Sequence, residues 1–461
     1  MKVGLIRLPP TYADWYRHPL LGLSYICTNL EKNGYECRIF DAYFHTLSDI
    51  ELINRVVEYQ PDIIGISAMT HEIVNAARIA SLLKGKLNVT IVVGGCHVTA
   101  LPKRTLREFP SFDYAVYGEG DHTILELIKY LEGGSVDLKS INGLIYRDNL
   151  NNVCINEPRP FLTGEELDSL PFPSLRDYYG DDRKALAGKD SFYVIISSRG
   201  CPYNCVFCMQ VLGRKVRHRS PQNVVDEFKY ANSYYGAHTF NIADEIFLYD
   251  SAHTREILQM IVDQGLPKRI RWRGSTRVNL VNKEIVQLAK EAGCYRLELG
   301  VESGDDEILR TIGKGITVEE IRRAVRIIKD AGLELGTYYI LGHPNETLES
   351  LKKTVNLAIE LNTDNIAVGI MVPYPGTKVY DMALKGEAGY RLLSTDWSEY
   401  DKYCGKVLEI KNLPYEELIK WQKRTLVYFY LKNFRLLELF HFLWTRRRAL
   451  IFYIKKFYGR I

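Results

Sequence analysis

Three cysteines within eight residues constrain this chain more than any other feature. They form the segment Cys201-Pro-Tyr-Asn-Cys205-Val-Phe-Cys208, which follows the apolar run at 193–197 and the residues Ser198-Arg199-Gly200. Thiolates at this spacing can all point at one centre, and soft sulfur ligands suit iron–sulfur clusters. Three cysteines cover three irons of a four-iron cluster and leave the fourth iron open. The segment therefore predicts a cluster-binding loop with one free coordination position.

A structural zinc site is the alternative for these cysteines, with His218 as a possible fourth ligand. Structural zinc sites usually use two pairs of ligands, and no second pair follows in the sequence. The chain has nine cysteines, an odd number, and the other six are scattered. This usage argues against a disulfide framework and favours a reducing, cytoplasmic compartment.

A length of 461 residues exceeds what one hydrophobic core organises, so two or three domains are expected. The first ten residues resemble a short strand and lack the charged and apolar regions of a signal peptide. No stretch reaches the roughly 18 uninterrupted apolar residues that a membrane span requires. The sequence thus favours a globular protein without a spanning helix.

Residues 2–132 alternate short apolar runs with amphipathic stretches, which is typical of a parallel sheet wrapped by helices. Strands are predicted at 2–8, 36–41, 63–67, 90–94 and 114–117. In a doubly wound sheet, ligands bind beyond the carboxyl ends of the strands. The loops after the third, fourth and fifth strands are therefore candidates for a ligand site, and they contain Ser67, Met69, Thr70, Gly94, Gly95, His97, Glu119 and Gly120.

Residues 139–190 are interrupted by prolines and predict an extended linker with one small hairpin. The strand–helix alternation resumes six times between 191 and 385, with strands predicted at 193–197, 239–243, 271–275, 296–300, 334–340 and 365–371. Six such units predict an open parallel barrel. The cysteine loop follows its first strand, at the end where parallel barrels carry their functional groups.

The C-x3-C-x2-C pattern, with Phe207 before the third cysteine, resembles the cluster loop of the radical S-adenosylmethionine (SAM) superfamily. The resemblance implies a four-iron–four-sulfur cluster held by Cys201, Cys205 and Cys208, with SAM on the open iron. It also implies that one electron from an external donor, such as a flavodoxin or a ferredoxin, cleaves SAM to a 5'-deoxyadenosyl radical.

The same resemblance assigns SAM contacts to residues at the ends of the later barrel strands. These are Asp244, Glu245, Arg277, Glu302, Lys314 and Tyr338. The acidic pair is expected to accept hydrogen bonds from the SAM ammonium group, and the lysine to contact its carboxylate. Taken singly, Asp244 or Arg277 is as easily explained as part of a barrel salt bridge. Arg199 and Tyr374 are predicted to face the substrate.

Three segments of the first domain, residues 61–67, 93–99 and 117–121, resemble the cobalamin-binding domain that precedes many radical SAM modules. The implied domain spans 1–138. The chain lacks Asp-x-His-x-x-Gly, so the implied cobalamin has no histidine ligand on cobalt, and Met69, Thr70 and His71 are predicted nearest its lower face. A sheet with tight glycine turns and no ligand is the alternative.

A second alternative for this domain is the first domain of the methylthiotransferases that modify tRNA, which carries another cluster on three cysteines. The candidates are Cys27, Cys37 and Cys96. The first falls in a predicted helix and the second opens a predicted strand, so we do not expect the three to converge. A nucleic-acid substrate is accordingly not expected.

Basic residues concentrate at the carboxyl terminus. The last 41 residues contain ten lysines or arginines and a single acid, Glu438. Between Trp421 and Tyr458 they alternate with aromatic and aliphatic residues, which is typical of amphipathic helices that touch anionic lipid. The alternative is that the aromatic residues pack on the barrel.

Together these patterns predict an α/β protein with three parts. An amino-terminal doubly wound, flavodoxin-like cobalamin-binding domain precedes a partial (β/α)6 radical SAM barrel at 191–385 and a mainly helical extension at 386–461. The expected activity is methylation of an unactivated carbon in a small-molecule or lipid-like substrate. Radical cyclisation or oxidation without methyl transfer, and a non-catalytic cobalamin-responsive binding protein, stay open as alternatives.

Overall fold

The computed structural model describes residues 1–10, 17–180, 184–188, 191–248, 251–401 and 405–445. Two sheets, a mixed one of seven strands and a parallel one of six, organise this part of the chain with helices packed around them. Their buried apolar residues join in one continuous cluster. The two sheets therefore share a core, which fixes their position relative to each other.

The first sheet has the strand order β2-β1-β3-β4-β5-β6-β7, and β1 to β5 are parallel. Its parallel strands are β1 (Lys2–Arg7), β2 (Glu36–Asp41), β3 (Ile63–Ser67), β4 (Thr90–Gly94) and β5 (Tyr114–Val116). Its helices are α1 (Leu21–Lys32), α2 (Ala42–His45), α3 (Asp49–Tyr59), α4 (Ile73–Lys84), α5 (Cys96–Ala100), α6 (Pro102–Glu108) and α7 (Thr123–Leu131). All five predicted strands are confirmed, and the order switches at β1 and β3, where such sheets bind ligands.

The hairpin of β6 (Leu144–Arg147) and β7 (Val153–Ile155) extends this sheet antiparallel to β5. The hairpin predicted within the linker is present, and it extends the first sheet to residue 155, beyond the predicted domain end at 138. An antiparallel pair needs no crossover helix, which is why a short turn suffices to add these edge strands. The proline-containing segment that follows carries α8 (Gly164–Ser169) and α9 (Arg176–Tyr179).

The second sheet has the order β15-β14-β13-β12-β11-β8, with every pair parallel. Its strands are β8 (Tyr193–Ile195), β11 (Thr239–Ile242), β12 (Arg271–Thr276), β13 (Cys294–Glu302), β14 (Glu334–Leu341) and β15 (Asn365–Ile370). The helices around it are α10 (Pro221–Tyr235), α11 (Ser251–Asp263), α12 (Lys283–Glu291), α13 (Asp306–Thr311), α14 (Val318–Asp330), α15 (Leu348–Leu361) and α16 (Lys378–Lys385). The outer strands β8 and β15 do not pair with each other, so the predicted six-stranded barrel is open.

Side-chain alternation gives this barrel a polar interior. On β13, Leu297, Leu299 and Val301 are fully buried against the helices. Successive strand residues point to opposite faces, so Glu298 and Glu302 face the interior. The sequence of one strand thus supplies both the packing surface and the polar lining.

The carboxyl-terminal extension begins with a hairpin of β16 (Tyr390–Leu392) and β17 (Leu408–Ile410), followed by α17 (Tyr415–Lys432) and α18 (Leu436–Thr445). Helix α17 packs on β15, where the Gln422 side chain donates to the Val368 carbonyl over 2.9 Å. Phe429 and Tyr430 are buried there, so packing of aromatic residues on the barrel is confirmed for α17. The rest of the predicted helical stretch, 446–458, lies outside the described residues.

None of the described helices is both long enough and apolar enough to cross a membrane.

A short 3-10 helix in the extension, Trp397–Glu399, contacts the amino-terminal domain. The Trp397 indole donates to the Glu108 carboxylate over 2.8 Å. The extension therefore contacts both domains.

Candidate active site

The three cysteines lie in the loop of a hairpin formed by β9 (Ser198–Arg199) and β10 (Arg217–His218). Gly200 opens the loop with φ +101°, and a Cβ there would lie 2.4 Å from the Lys215 carbonyl oxygen. Only glycine fits this approach. The Cys201 amide then donates to the Gly213 carbonyl over 3.1 Å, which closes the loop on itself.

The middle of the loop is fastened to the barrel. The Val206 amide donates to the Ile312 carbonyl over 3.0 Å, and the Val206 carbonyl accepts from the Val379 amide over 3.1 Å. These partners follow α13 and begin α16. The loop therefore sits over the carboxyl ends of the strands, where the sequence predicts the site.

Two cations flank the cysteines. Arg277, at the end of β12, lies with Nη1 3.6 Å from Cys205 Sγ, and its guanidinium stacks on the Tyr203 ring at 3.8 Å. Lys314 lies on the other side, with Nζ 2.7 Å from the Glu302 carboxylate. Arg277, Lys314 and Glu302 are all buried.

Cysteine sulfurs of the loop affect the pKa of neighbouring thiols. Burial, together with the Cys205 sulfur, raises the pKa of the Cys201 thiol, and the Arg277 charge opposes this. Burial and the other two sulfurs raise the pKa of Cys208 to about 11, against the Lys314 charge. Binding a metal cluster requires all three thiolates, so it releases protons here, and the two cations favour that charged state.

In the part of the chain that the structure describes, no three His, Cys, Asp or Glu side chains lie close enough together to hold one metal ion. The ligands of a four-iron cluster bind three different irons, so they do not have to meet at one ion. His218, the fourth ligand of the zinc alternative, belongs to β10, and its ring lies 4.2 Å from that of His253. Cysteine side chains flanked by cations fit an iron–sulfur cluster by their chemistry.

Glu302 adopts a strained backbone. Its φ is +68°, unusual for a residue with a side chain, and β13 shifts register between Gly300 and Glu302. A Cβ on Gly300 would lie 2.6 Å from the Glu302 carboxylate and 2.8 Å from Lys314 Nζ, so the ion pair lies directly over this glycine. Such conformations cost about 1–3 kcal/mol and concentrate at functional sites.

His343 supports Glu302 from behind and was not predicted as a site residue. Its Nε2 lies 3.3 Å from the Glu302 carbonyl oxygen, and its ring lies 6.1 Å from that of Phe207 in the cysteine loop. Burial lowers the pKa of His343 to about 4, so the ring is neutral and Nε2–H donates to the carbonyl. The signal in the sequence was the turn Gly342-His-Pro344 after the fifth barrel strand.

The buried carboxyl group of Glu346, in the same turn, is expected to make the stability of the protein depend on pH. Its carboxyl accepts from the Gly342 and His343 amides, and burial raises its pKa to about 8. The folded protein holds this proton well above the usual glutamate range of about 4.3, so from this group stability falls by up to about 1.4 kcal/mol per pH unit between about 5 and 8. In urea unfolding at pH 5.5 and 7.5, Glu346→Gln should lose this slope. Glu349→Gln, at an exposed position of α15, should keep it; equal slopes in parent and Glu346→Gln would contradict the assignment.

The two acidic residues after β11 have different tasks. Asp244 accepts hydrogen bonds from the Ser197 amide over 2.7 Å, from the Ser197 hydroxyl and from the Ser198 hydroxyl over 2.8 Å. Its oxygens hold the end of the first barrel strand in place, and its contact with SAM stays a prediction. Glu245 accepts from the Gly200 amide over 3.3 Å and so lies beside the start of the cysteine loop.

Tyr338 lies deeper in the barrel than predicted for a SAM contact. It is the register partner of Gly300, and its side chain is 41% exposed on the interior face. Partial burial and the neighbouring Glu298 carboxylate raise the pKa of this phenol. Of the six residues predicted to contact SAM, the structure brings four together around the cysteine loop: Glu245, Arg277, Glu302 and Lys314.

A buried charge cluster joins the hairpin to the amino-terminal domain. Glu119 accepts from Arg199 over 3.1 Å and from Arg217 over 2.9 Å, and it also accepts from the Leu162 amide over 2.8 Å. Arg199 also binds Asp121 over 3.0 Å. Glu119 and Arg199 thus bind each other across the domains, and their predicted contacts with cobalamin and with a substrate stay predictions.

The other predicted cobalamin loops lie side by side at the sheet edge. Ser67 and Gly94 are register partners, and Gly94 pairs with Val116. Gly95 has φ +110°, and a Cβ there would lie 2.6 Å from the Ala68 carbonyl oxygen, so glycine is required for the loops to approach. Close to this point Met69 is 47% exposed.

The remaining predicted cobalamin residues are more enclosed. Thr70 is 3% exposed, and Gly120 lies next to the Ile26 and Val116 side chains. His71 is also buried, with Nε2 3.6 Å from the Glu72 carboxylate. Because Met69 is exposed beside these residues, it is the one of the predicted lower-face group that is open to a ligand.

His97 is covered by the carboxyl-terminal extension. It is fully buried, with its ring 5.2 Å from that of Trp397, and burial lowers its pKa to about 4. The Arg104 guanidinium lies over the Trp397 ring, 4.7 Å from its centroid. The contact of His97 with cobalamin stays a prediction. Trp397 was missed because it is 300 residues away in sequence.

The three cysteines of the methylthiotransferase alternative are distributed as expected. Cys27 lies in α1 and Cys37 in β2, where the two buried thiols are neighbours. Cys96 begins α5 at the opposite end of the strands, near Glu72. The three do not converge, so they do not form a second cluster site.

Two family models match the chain. The radical SAM superfamily model matches residues 195–358, and the B12 binding domain model matches residues 15–128. The matched ranges contain the barrel with its cysteine loop and the first five strands of the amino-terminal sheet, respectively.

Three similar proteins extend this match. The "Uncharacterized methyltransferase PH0819" of Pyrococcus horikoshii is 34% identical over 94% of this chain and 93% of that protein. The anaerobic magnesium-protoporphyrin IX monomethyl ester cyclase of Cereibacter sphaeroides is 28% identical over 95% of this chain and 71% of that protein. The structure of the radical SAM methyltransferase TsrM from Kitasatospora setae, with cobalamin and a [4Fe-4S] cluster bound, superposes with a TM-score of 0.70 at 19% identity, over 87% of this chain and 81% of that one.

The chain belongs to the radical SAM superfamily, in the branch whose members carry a B12-binding domain before the barrel. Its cofactors are accordingly a [4Fe-4S] cluster, SAM and cobalamin. The predicted class of protein, fold and cofactors are thus confirmed.

Proposed function

We propose that this enzyme methylates an unactivated carbon of a small-molecule substrate. The observation that carries the proposal is the cysteine loop with Arg277 and Lys314 on either side of it, fastened by Arg199 and Arg217 to a B12-binding domain. When bound, the cluster and SAM supply a 5'-deoxyadenosyl radical that abstracts hydrogen, and cobalamin supplies a methyl group.

The chain's own residues would bind and orient these groups. Cys201, Cys205 and Cys208 hold the cluster as thiolates. Glu245 offers a carboxylate beside Gly200 for the SAM ammonium group, and Lys314 offers a cation for the SAM carboxylate. Arg277, stacked on Tyr203, holds a fixed positive charge at Cys205, and Glu302 offers an acceptor for a ribose hydroxyl.

The amino-terminal domain fits a bulky ligand at the edge formed by β3, β4 and β5. Ser67, Gly94 and Gly95 keep side chains small where the loops meet, and the exposed thioether of Met69 offers an apolar contact. Thr70 and Gly120 lie at the same edge. We assign cobalamin to this position, with Met69 nearest its lower face.

A second reaction is favoured by one comparison. The magnesium-protoporphyrin relative is a cyclase and covers 95% of this chain, so radical chemistry without methyl transfer is the alternative. Product mass separates the two reactions, because methylation adds one carbon and cyclisation adds none.

The proposed iron–sulfur cluster also implies an electron donor and a reducing compartment. The cleavage of SAM needs one electron from outside, which we assign to a flavodoxin or a ferredoxin. All eight cysteines among the described residues are free thiols. Free thiols and an oxygen-sensitive cluster suit the reducing cytoplasm.

Anaerobic reconstitution tests the function. The purified protein receives iron, sulfide, cobalamin and SAM with a labelled methyl group, and is then incubated with pooled small-molecule and lipid extracts. Methyl label in a product that forms only with all cofactors supports methylation. Cleavage of SAM with a product of unchanged carbon count supports the cyclase alternative. Cobalamin binding without any cleavage of SAM would overturn both reactions and favour a binding protein.

We also infer that α18 touches an anionic lipid surface. Its apolar side chains are unusually exposed, with Leu437 at 86% and Phe440 at 67%, and Phe434 before it is at 90%. Arg435 holds the helix to the barrel by donating to the Thr363 carbonyl over 2.6 Å. The next residues in sequence, 446–461, contain six lysines or arginines and no acid. An apolar face followed by cations is typical of helices that bind at a membrane surface.

Vesicle co-sedimentation tests this contact. The full chain should bind vesicles of phosphatidylcholine and phosphatidylserine more tightly than vesicles of phosphatidylcholine alone. Burying one such side chain stabilises by about 1.5–3 kcal/mol, so Leu437→Ser with Phe440→Ser should weaken binding about tenfold or more. Leu150→Ser removes a leucine that is 82% exposed in the β6–β7 turn and should not weaken it. Equal binding to both vesicle types would contradict the inference.

A further inference from the structure

A solvent-open cavity reaches the cysteine loop from outside the barrel. Its volume is about 210 Å³, and it is lined on one side by the loop residues Cys205 and Cys208 and on the other by Thr99 and Ala100 of α5. Cys208 is an exposed residue. The proposed SAM contacts Glu302 and Lys314 are buried and do not line the cavity. The cavity therefore meets the cysteine loop on the side that faces α5, away from these two residues.

The rim of this cavity is positively charged. Of its lining residues, Arg214 and Lys378 are cationic and none is acidic. Both are exposed, as are Lys215 beside Arg214 and Lys103 at the start of α6, three residues after Ala100. The charges thus come from the cysteine loop, from α16 and from the amino-terminal domain.

The position of Arg214 is defined by the loop. Its Nη2 donates to the Asn204 side chain over 2.8 Å, which holds the guanidinium against the segment between the first two cysteines. Lys378 begins α16, whose next residue is hydrogen-bonded to Val206 of the same loop. Both cations are therefore attached to the cysteine loop and move with it.

We propose that this cationic rim, where Arg214 and Lys378 line the cavity and the exposed Lys215 and Lys103 lie near lining residues in sequence, is the docking surface for an acidic one-electron donor protein. The inference rests on the proposed function, since it assumes a cluster at Cys201, Cys205 and Cys208. An electron-transfer protein is too large to enter a cavity of this size, so it must bind at the mouth, where the path to the cysteines is shortest. One electron leaves the donor and enters the cluster; no bond forms or breaks.

Charge complementarity explains why the rim suits such a partner. Opposite potentials steer diffusing proteins and raise association rates, and salt screens them with a Debye length of about 10 Å at 0.1 M. A transient donor needs fast association more than high affinity. Exposed cations around an opening serve this purpose, while buried ion pairs such as that of Lys314 and Glu302 do not.

Charge reversal tests the surface. The reconstituted full chain carries Arg214→Glu, Lys378→Glu or both, and the probe is a purified acidic flavodoxin. We expect binding, measured by titration calorimetry at low salt, to weaken about tenfold or more in the double variant, and the difference to disappear at 0.5 M salt. The ratio of flavodoxin-driven to dithionite-driven cluster reduction, followed by absorbance, should fall in parallel.

The control is Lys268→Glu, an equal charge change at an exposed residue before β12, at the opposite end of the barrel. It should leave flavodoxin binding unchanged. Lys215→Glu provides a second rim variant if Arg214→Glu does not fold. Binding within twofold of the parent for the rim variants, or equal weakening by Lys268→Glu, would overturn the docking surface. If dithionite also fails to reduce a cluster in the parent, the proposed function itself fails, which is a separate outcome.

Discussion

Replacement of Cys208 by serine is expected to abolish reductive cleavage of SAM. The serine hydroxyl is not a soft ligand, and a cluster held by two thiolates loses the third corner that the loop provides. After anaerobic reconstitution, the variant should lack the broad cluster absorption and should produce 5'-deoxyadenosine only at the level of a protein-free reaction.

Cys154→Ser is the matched control for this result. Cys154 is a partly exposed free thiol on β7 at the far edge of the first sheet, so its loss changes the cysteine count without touching the loop. It should keep both absorption and cleavage. Cobalamin binding should persist in Cys208→Ser, because the proposed cobalamin edge lies in the other domain. Full cluster absorption in Cys208→Ser would contradict the assignment of this ligand.

The parallel parts of both sheets were predictable because they follow a local rule. Each strand is a short apolar run, and each crossover is an amphipathic helix, so the period of the pattern changes along the chain. The hairpin of β6 and β7 was assigned to the linker because nothing in its own sequence indicates pairing with β5. That pairing depends on the open edge of β5, which only the folded sheet reveals.

In the site, too, residues that nearby sequence identifies were predicted, and contacts between residues that lie far apart in sequence were not. The positions of the cysteines and Arg277 were predictable because they follow strands whose ends meet at one edge, whereas Glu302 and Lys314 were assigned from the family resemblance. The role of Glu119 was not predictable because its partners Arg199 and Arg217 are 80 and 98 residues away. The covering of His97 by Trp397 depends on a still longer return of the chain. Side chains whose task is to join domains resemble ligand-binding residues in sequence, since both are polar and lie in loops.

These contacts between the domains also connect the two proposed cofactor sites. The hairpin that carries the cysteine loop is held by Glu119, which follows β5 at the proposed cobalamin edge. The Glu108 contact of Trp397 joins the extension to the same domain. The cysteine loop and the edge to which we assign cobalamin are thus connected through polar side-chain contacts.

Replacement of Glu119 by alanine should therefore have the largest effect on stability. It leaves Arg217 buried without a carboxylate and removes one of the two carboxylates that bind Arg199. Removing one partner of a buried ion pair costs about 3–5 kcal/mol, because the other charge stays desolvated. Urea unfolding of the cofactor-free protein at pH 7 should show a loss of this size.

Two further variants decide whether the loss arises from the uncompensated charge. Glu126→Ala in the same domain removes a partly exposed carboxylate that pairs with Arg159, and it should cost no more than about 1 kcal/mol. Glu119→Ala combined with Arg217→Leu should be less destabilised than Glu119→Ala alone, since the double variant no longer buries an unpaired guanidinium there. A loss below about 1 kcal/mol in Glu119→Ala, or a double variant at least as destabilised as Glu119→Ala alone, would mean that the ion pairs of Glu119 do not hold the cysteine hairpin to the amino-terminal domain.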